Sequence, residues 1–351
     1  MSDSTYYDSI SEIEVDPSWR DFLSEEYLEY RKRFELAQNQ NYSDSFPLSF
    51  EIEASYYCNL QCPFCARGMN PEERELGHMS PDLWGKILKE SREKGLKSIL
   101  MDHEAESLMN PRIFDMMKEA KEAGVIDIWL HTNANLLTPE ISEKLIDIGL
   151  TKINFSIDAF SEKTYDILRV GGDYKSVLRN IQDFLELKIK KKAHHLRARV
   201  SFVVQKENVD ERESFFNFWK NQPGINVVAF QNLIDFAPFE KPDCDSELSE
   251  DELEKKYSSD PPFHCTQPWE NNVIDIDGNM IPCGQPVRGH TEDFILGNLN
   301  KGDTIESCWN SDKMNSLKTL HKKGEWYKNP MCRSCVKALR KPSDLLPFEA
   351  T

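Results

Sequence analysis

From Phe50 onward the chain alternates short apolar runs with longer amphipathic ones. Phe50–Ala54 switches between apolar and charged residues, the period of a strand with one covered face. Ser80-Pro81-Asp82 then reads as a helix start, with Ser80 as N-cap and Pro81 in the first turn, and Gly95 as its stop. The same alternation continues through a strand at Lys97–Met101, a helix at Pro111–Ala123 closed by Gly124, and a strand at Ile126–Leu130. A helix opened by Thr138-Pro139 and ended by Gly149 follows, then a strand at Lys152–Ile157 and helical segments over Ser161–Lys190. Strand Arg197–Val204, helix Glu211–Trp219 and strand Ile225–Phe230 complete the series. Strands alternating with helices predict a parallel β/α architecture, and six units fall short of a closed eight-stranded barrel.

Outside this series the pattern changes. Residues 1–48 are polar, with a helix expected around Ser18–Leu36, and read as a lead-in. Residues 236–262 are strongly acidic and end in Ser-Ser-Asp-Pro-Pro, which reads as a linker or lid. Beyond it, Asp277-Gly278-Asn279 marks a hairpin turn between Asn272–Ile276 and a strand leading to Cys283.

Composition narrows the function. With 39% hydrophobic and 11% aromatic residues, the 351-residue chain has enough apolar material for a packed core. Its net charge of −17 argues against general binding to nucleic acid or anionic membranes. The six Lys and Arg of Lys188–Arg199 read as a solvated helix end leading into a strand. No apolar run reaches the length of a membrane span, and no basic-then-apolar leader opens the chain, so a cytoplasmic location is expected.

An odd count of nine cysteines in such a chain is a poor disulfide framework. Cys58, Cys62 and Cys65 crowd into eight residues, a spacing that lets a loop curl three thiolates toward one point. Soft thiolates suit a metal or an iron–sulfur cluster. Structural zinc usually takes four protein ligands, so three fit a cubane with one iron left open better, although a zinc fragment stays an alternative. Cys265, Cys283, Cys332 and Cys335 form two further pairs, a complete set for either a cubane or a zinc ribbon.

The Cys-x3-Cys-x2-Cys loop, with Phe64 before its last cysteine, resembles the signature of the radical SAM superfamily. That resemblance implies a 4Fe–4S cluster on Cys58, Cys62 and Cys65, and S-adenosylmethionine (SAM) cleaved to a 5′-deoxyadenosyl radical. The expected fold is α/β, a partial (β/α)6 TIM-like barrel over residues 49–235 with a small C-terminal Cys-rich α+β extension of SPASM or twitch type over 263–341, before a tail at 342–351. Glu106 in Asp102-His103-Glu104-Ala105-Glu106-Ser107 stands at the acidic position of the family's Gly-Gly-Glu-Pro, with Ala105 and Ser107 in place of Gly and Pro. Asn133, in Thr132-Asn133-Ala134, resembles a further family motif, as do Ser156 and Asp158 of Ser156-Ile157-Asp158. Arg169 matches an arginine that reaches toward the SAM carboxylate, a task suited to a guanidinium. Phe64, Glu106, Asn133, Ser156, Asp158 and Arg169 are thus the expected cofactor contacts, and His103 and Glu104 candidate acid–base groups or plain loop residues. In the extension, the resemblance implies one auxiliary 4Fe–4S cluster on Cys265, Cys283, Cys332 and Cys335.

The expected activity is radical oxidation or epimerisation of a small polar substrate, with sugar-type metabolites ahead of peptides and an electron donor such as flavodoxin or ferredoxin. Cys244 and Cys308 are left over; either is a candidate hydrogen donor or a structural thiol, with Cys244 the better donor. The alternatives are a peptide-modifying maturase and, from another class, a non-catalytic zinc-binding adaptor.

Overall fold

The computed structural model describes residues 10–69, 74–233, 248–257, 265–270, 272–284 and 294–333. Ten strands join one open sheet: β1 (Ile10–Glu14), β2 (Ser49–Ile52), β3 (Ser98–Met101), β4 (Asp127–Thr132), β5 (Lys152–Ser156), β6 (Arg197–Val204), β7 (Val227–Asn232), β8 (Asn272–Ile274), β9 (Asn279–Ile281) and β10 (Gly297–Asn298). The helices in chain order are α1 (Glu25–Gln38), α2 (Ala66–Met69), α3 (Pro81–Lys94), α4 (Ile113–Glu122), α5 (Pro139–Asp147), α6 (Glu162–Leu168) and α7 (Tyr174–Lys190). They continue with α8 (Arg212–Trp219), α9 (Glu250–Tyr257), α10 (Gln267–Glu270), α11 (Ile305–Trp309), α12 (Asp312–Lys322) and α13 (Pro330–Arg333).

Strands β2 to β7 pair in parallel, each with the next, which gives the expected α/β architecture of a partial barrel. Local chemistry starts the helices where the caps stand. Ser80 accepts from the Leu83 N–H, Thr138 from that of Ile141, and Asp173 from that of Ser176. Gly95 ends α3 at φ 75°, a left-handed conformation that a residue without Cβ adopts freely.

The alternation within each strand sorts the two faces of the sheet. Phe50, Ile99, Ile128, Ile153, Val200 and Phe230 are buried in the main core that also takes in Trp84, Phe184 and Phe215 of the helices. Each such side chain contributes roughly 1.5–3 kcal/mol on burial. The opposite face carries charge. Lys152 and Asp127, on adjacent strands, pair at 3.2 Å, and the Lys152 ammonium lies 3.9 Å from the Trp129 ring centroid.

Two parts of this sheet differ from the sequence-based expectation. The lead-in contributes a strand as well as a helix: β1 pairs antiparallel with β7 along its full length, and Glu12 takes both Arg197 and Arg199. The C-terminal extension forms no separate sheet, because β8 adds in parallel beside β2 before turning into the expected hairpin with β9. In the acidic segment, α9 buries Leu253 against Trp326 and Tyr327.

Candidate functional site

Polar side chains at the carboxyl ends of β2 to β7 and the cysteine loop after β2 surround one cavity of about 260 Å³. Cys58, Cys62 and Cys65 all line it. The loop reverses tightly, with the Cys65 N–H donating to the Cys62 carbonyl at 3.1 Å and the Met69 N–H to that of Cys65 at 2.9 Å. Burial pushes the Cys58 thiol up to about 11 and that of Cys62 upward, so both are neutral without a metal; coordination replaces the proton outright. Three soft donors lining one cavity, with a Gly-backed turn behind them, fit an iron–sulfur cluster held by three cysteines.

That turn depends on Gly68. A Cβ there would lie 2.0 Å from the Cys62 carbonyl oxygen, and the obstacle is backbone. Gly68→Ala is therefore expected to displace Cys62 and cut iron incorporation at this loop at least several-fold, although it removes no ligand; iron assay of anaerobically reconstituted protein checks it. Wild-type iron content would show that the turn yields without cost.

Beside the cysteines stand the family-motif residues. Glu106 is buried; its Oε2 accepts from the Asn133 N–H at 2.8 Å and its Oε1 from the Leu108 N–H at 3.2 Å. Burial pushes its carboxyl up to about 7 against those two donors. Asn133 in turn donates through Nδ2 to Asn59 Oδ1 at 2.8 Å, which ties the end of β4 to the cysteine loop. Arg169 stands 5.5 Å from the Phe64 ring centroid, with Nη1 3.9 Å from Cys62 Sγ. Phe64, Glu106, Asn133, Ser156 and Arg169 line the cavity. Asp158 does not line it: it is buried behind, at φ 60°, in an ion pair with Arg169, and also accepts from the Val203 N–H. Its part is to hold the guanidinium in place.

The far wall rearranges the acid–base candidates. His103 Nδ1 lies 2.7 Å from Glu51 Oε1. Burial acts to drive off its proton, but Glu51, with Glu104 and Glu53 nearby, outweighs that and raises the imidazole to about 10. At neutral pH His103 is thus a paired cation and no base, and its φ of 143° is strained. Glu104 pairs with Arg74 at 3.4 Å, and Arg74 also makes a two-pronged bond to buried Glu53 and reaches Asp277 of the β8–β9 turn. This hub pins the extension to β2.

A second carboxylate–imidazole pair, which sequence reasoning missed, also stands at the cavity. Asp102 Oδ2 meets His131 Nδ1 at 2.5 Å, and both line the cavity. Among the described residues Nε2 of His131 has no hydrogen-bond partner. Asn154, opposite His131 in the register, accepts from Arg199 Nε at 2.7 Å. The available signal was polar residues at alternate positions of otherwise apolar strands, as in His131, Asn154 and Arg199.

Comparison with known proteins gives the superfamily. The model of the radical SAM superfamily matches residues 52–218, and that of an iron–sulfur cluster-binding domain, SPASM, matches 265–336. The chain belongs to the radical SAM superfamily. Its cofactors are accordingly SAM, a 4Fe–4S cluster and auxiliary iron–sulfur in the C-terminal domain. Among its relatives is a probable GTP 3′,8-cyclase of Methanococcus maripaludis, 29% identical over 193 residues, 55% of this chain and 60% of that protein. The chain thus spans about three fifths of the cyclase's length. BtrN in complex with AdoMet and 2-DOIA matches 84% of this chain and 94% of its own at TM-score 0.54 and 16% identity. Streptococcus suis SuiB bound to S-adenosylmethionine matches 90% and 77% at TM-score 0.56 and 18% identity. At such identities the likeness is one of fold.

In this radical SAM protein the second cysteine group is described in part. Short α10, just after Cys265, packs on both β8 and α12; Cys283 follows β9, the hairpin partner of β8, and Cys332 lies in α13, where its sulfur meets His321 of α12. Cys335 and Cys244 lie outside the described residues. Cys308 is buried in the main core, where a Cβ on Gly297 would lie 2.5 Å from its sulfur; burial pushes its thiol up to about 11. Cys308 does not line the cavity. No helix among the described residues is long and apolar enough to cross a membrane.

Proposed function

We propose that this enzyme oxidises a neutral polyhydroxylated small molecule, removing hydrogen from a carbinol carbon, with His131 as the proton acceptor. The observation that carries the reading is that most charged groups of the cavity are already paired: Arg169 faces Asp158, Arg199 faces Glu12, His103 faces Glu51, and Glu104 faces Arg74. With Arg169 and Arg199 each balanced by a protein carboxylate, and Arg67 spending its Nε on the Tyr56 carbonyl, the cavity holds little surplus positive charge for a multiply charged guest such as a phosphate ester, while Arg169 can still meet the single carboxylate of SAM. Asn154, Ser156, Ser201 and Gln231 offer donors and acceptors instead, as hydroxyl groups require.

Cys58, Cys62 and Cys65 would hold the SAM-cleaving cluster, and Arg169, steadied by Asp158, would meet the SAM carboxylate. When bound, the SAM-cleaving cluster and SAM would supply the radical that takes a hydrogen atom from the guest, and the auxiliary iron–sulfur would accept the electron left once the hydroxyl proton is lost. The Asp102 carboxylate beside Nδ1 would favour a proton on that nitrogen of His131, which would leave Nε2 as the acceptor for a substrate hydroxyl proton. The reductant is proposed to be a flavodoxin or ferredoxin. The likeness to BtrN, captured with AdoMet and 2-DOIA, supports a small substrate; SuiB, also captured with a precursor peptide, supports peptide modification as a second reading.

The test is anaerobic incubation with dithionite, SAM and a panel of cyclitols and hexoses. The expected product is two mass units lighter than its parent. His131→Gln is expected to keep SAM cleavage while product falls about 10²–10⁴-fold, the usual loss when a general base goes. Product of unchanged mass in H2O that becomes about one unit heavier in D2O, with the deuterium on carbon, would establish epimerisation instead, and turnover of peptides alone would favour the second reading.

A further inference from the structure

The SPASM-matched region holds a buried histidine that the proposed reaction does not use. His321 stands near the end of α12, and its Nε2 lies 3.3 Å from Cys332 Sγ. The cysteine is fixed from its other side, since its N–H donates to Asn329 Oδ1 at 3.1 Å and Arg333 donates to the Tyr327 carbonyl at 3.0 Å. Around it Leu253, Trp326 and Tyr327 form a small apolar cluster against which Cys332 and Tyr257 pack. The site is therefore dry on that flank, where a hydrogen bond to sulfur has its largest electrostatic effect.

The chemistry of the acceptor decides the direction of the bond. A free thiol can give its proton to Nε2 or receive one. A metal-bound thiolate has no proton to give, so at a ligated Cys332 the histidine must donate. An N–H directed at a ligand sulfur withdraws electron density from it and favours the reduced cluster, which carries the extra negative charge.

We propose that His321 donates through Nε2 to the Cys332 sulfur and raises the reduction potential of the auxiliary iron–sulfur cluster. His321 is on this view a positioning and tuning residue that touches no substrate. The inference rests on the reading of Cys332 as an auxiliary ligand, and the experiment separates the two.

The full chain carrying Cys58→Ala, Cys62→Ala and Cys65→Ala is reconstituted anaerobically, so that only auxiliary iron–sulfur remains, and titrated potentiometrically with detection by electron paramagnetic resonance. His321→Phe in this background is expected to move the midpoint potential to a more negative value, with His321→Gln, whose amide can still donate, between the two. An unchanged potential in the Phe variant overturns the proposal. Absence of iron–sulfur signal in the parent triple variant overturns the ligand reading itself, and with it the inference. Should the Phe substitution strip the cluster, pulsed resonance on [15N]histidine-labelled parent protein decides. A weak nitrogen coupling and an exchangeable proton near the reduced cluster are expected. No coupling, or the strong coupling of a directly bound nitrogen, would overturn the assignment.

Discussion

Cys58→Ala, Cys62→Ala and Cys65→Ala, made singly, are each expected to abolish 5′-deoxyadenosine formation, by about 10³-fold or more, while the protein stays folded. The reason lies in the donor set. The three thiols line one cavity, and no other cysteine among the described residues lines it to substitute for a missing ligand. An alanine leaves an iron without a thiolate in a cavity whose remaining walls offer nitrogen and oxygen, poor replacements for a soft ligand. Iron should fall by roughly four per chain, one cubane, with the auxiliary iron retained. Iron and sulfide assay, absorbance near the iron–sulfur band and chromatography of 5′-deoxyadenosine read the three effects separately. Undiminished SAM cleavage in any of the three variants would reject the loop as the cluster site.

Asp158→Asn is expected to destabilise the fold by about 3–5 kcal/mol, the usual cost of removing one partner from a buried ion pair. Asp158 is buried, and the Arg169 side chain it holds keeps only about a tenth of its surface exposed, toward the cavity. Arg169 cannot escape by losing its proton: burial acts against the charged form, but Asp158 and the other groups near it outweigh that and push its pKa up, and the guanidinium is basic to begin with. Asparagine keeps an oxygen for the Val203 N–H but removes the counter-charge, so the loss isolates electrostatics from packing. The freed guanidinium should also drift from its place beside Phe64 and Cys62, weakening SAM binding. Thermal unfolding checks the first effect and calorimetric SAM titration the second. A variant with unchanged melting temperature and SAM affinity would show that Arg169 is held by other contacts.

Much of the core series was legible because it is written locally. Ser80, Thr138 and Asp173 cap their helices through side chains three residues from the groups they bond, and strand alternation needs only its own neighbours. Strand β1 was missed for the opposite reason: Ile10–Glu14 is short and polar, and its partner β7 lies more than two hundred residues away. Likewise nothing local announces that Asn272–Ile274 joins the edge of β2. The acid–base candidates divide the same way. His103 and Glu104 stand out beside Glu106 in sequence, but Glu51 and Arg74, brought in from other segments, convert both into ion-pair partners.

The sequence by itself determined the cysteine spacing, the order of strands and helices and the motifs after each strand, since these depend on residue type and separation along the chain. Only the tertiary structure decided that Asp158 serves Arg169 from behind, that Asp102 meets His131 and that His321 meets Cys332. Those pairings join residues 11, 29 and 11 positions apart, on different elements. A hydrogen bond or ion pair needs two atoms within about 3 Å. Chain separation does not encode that distance; strand register and packing do.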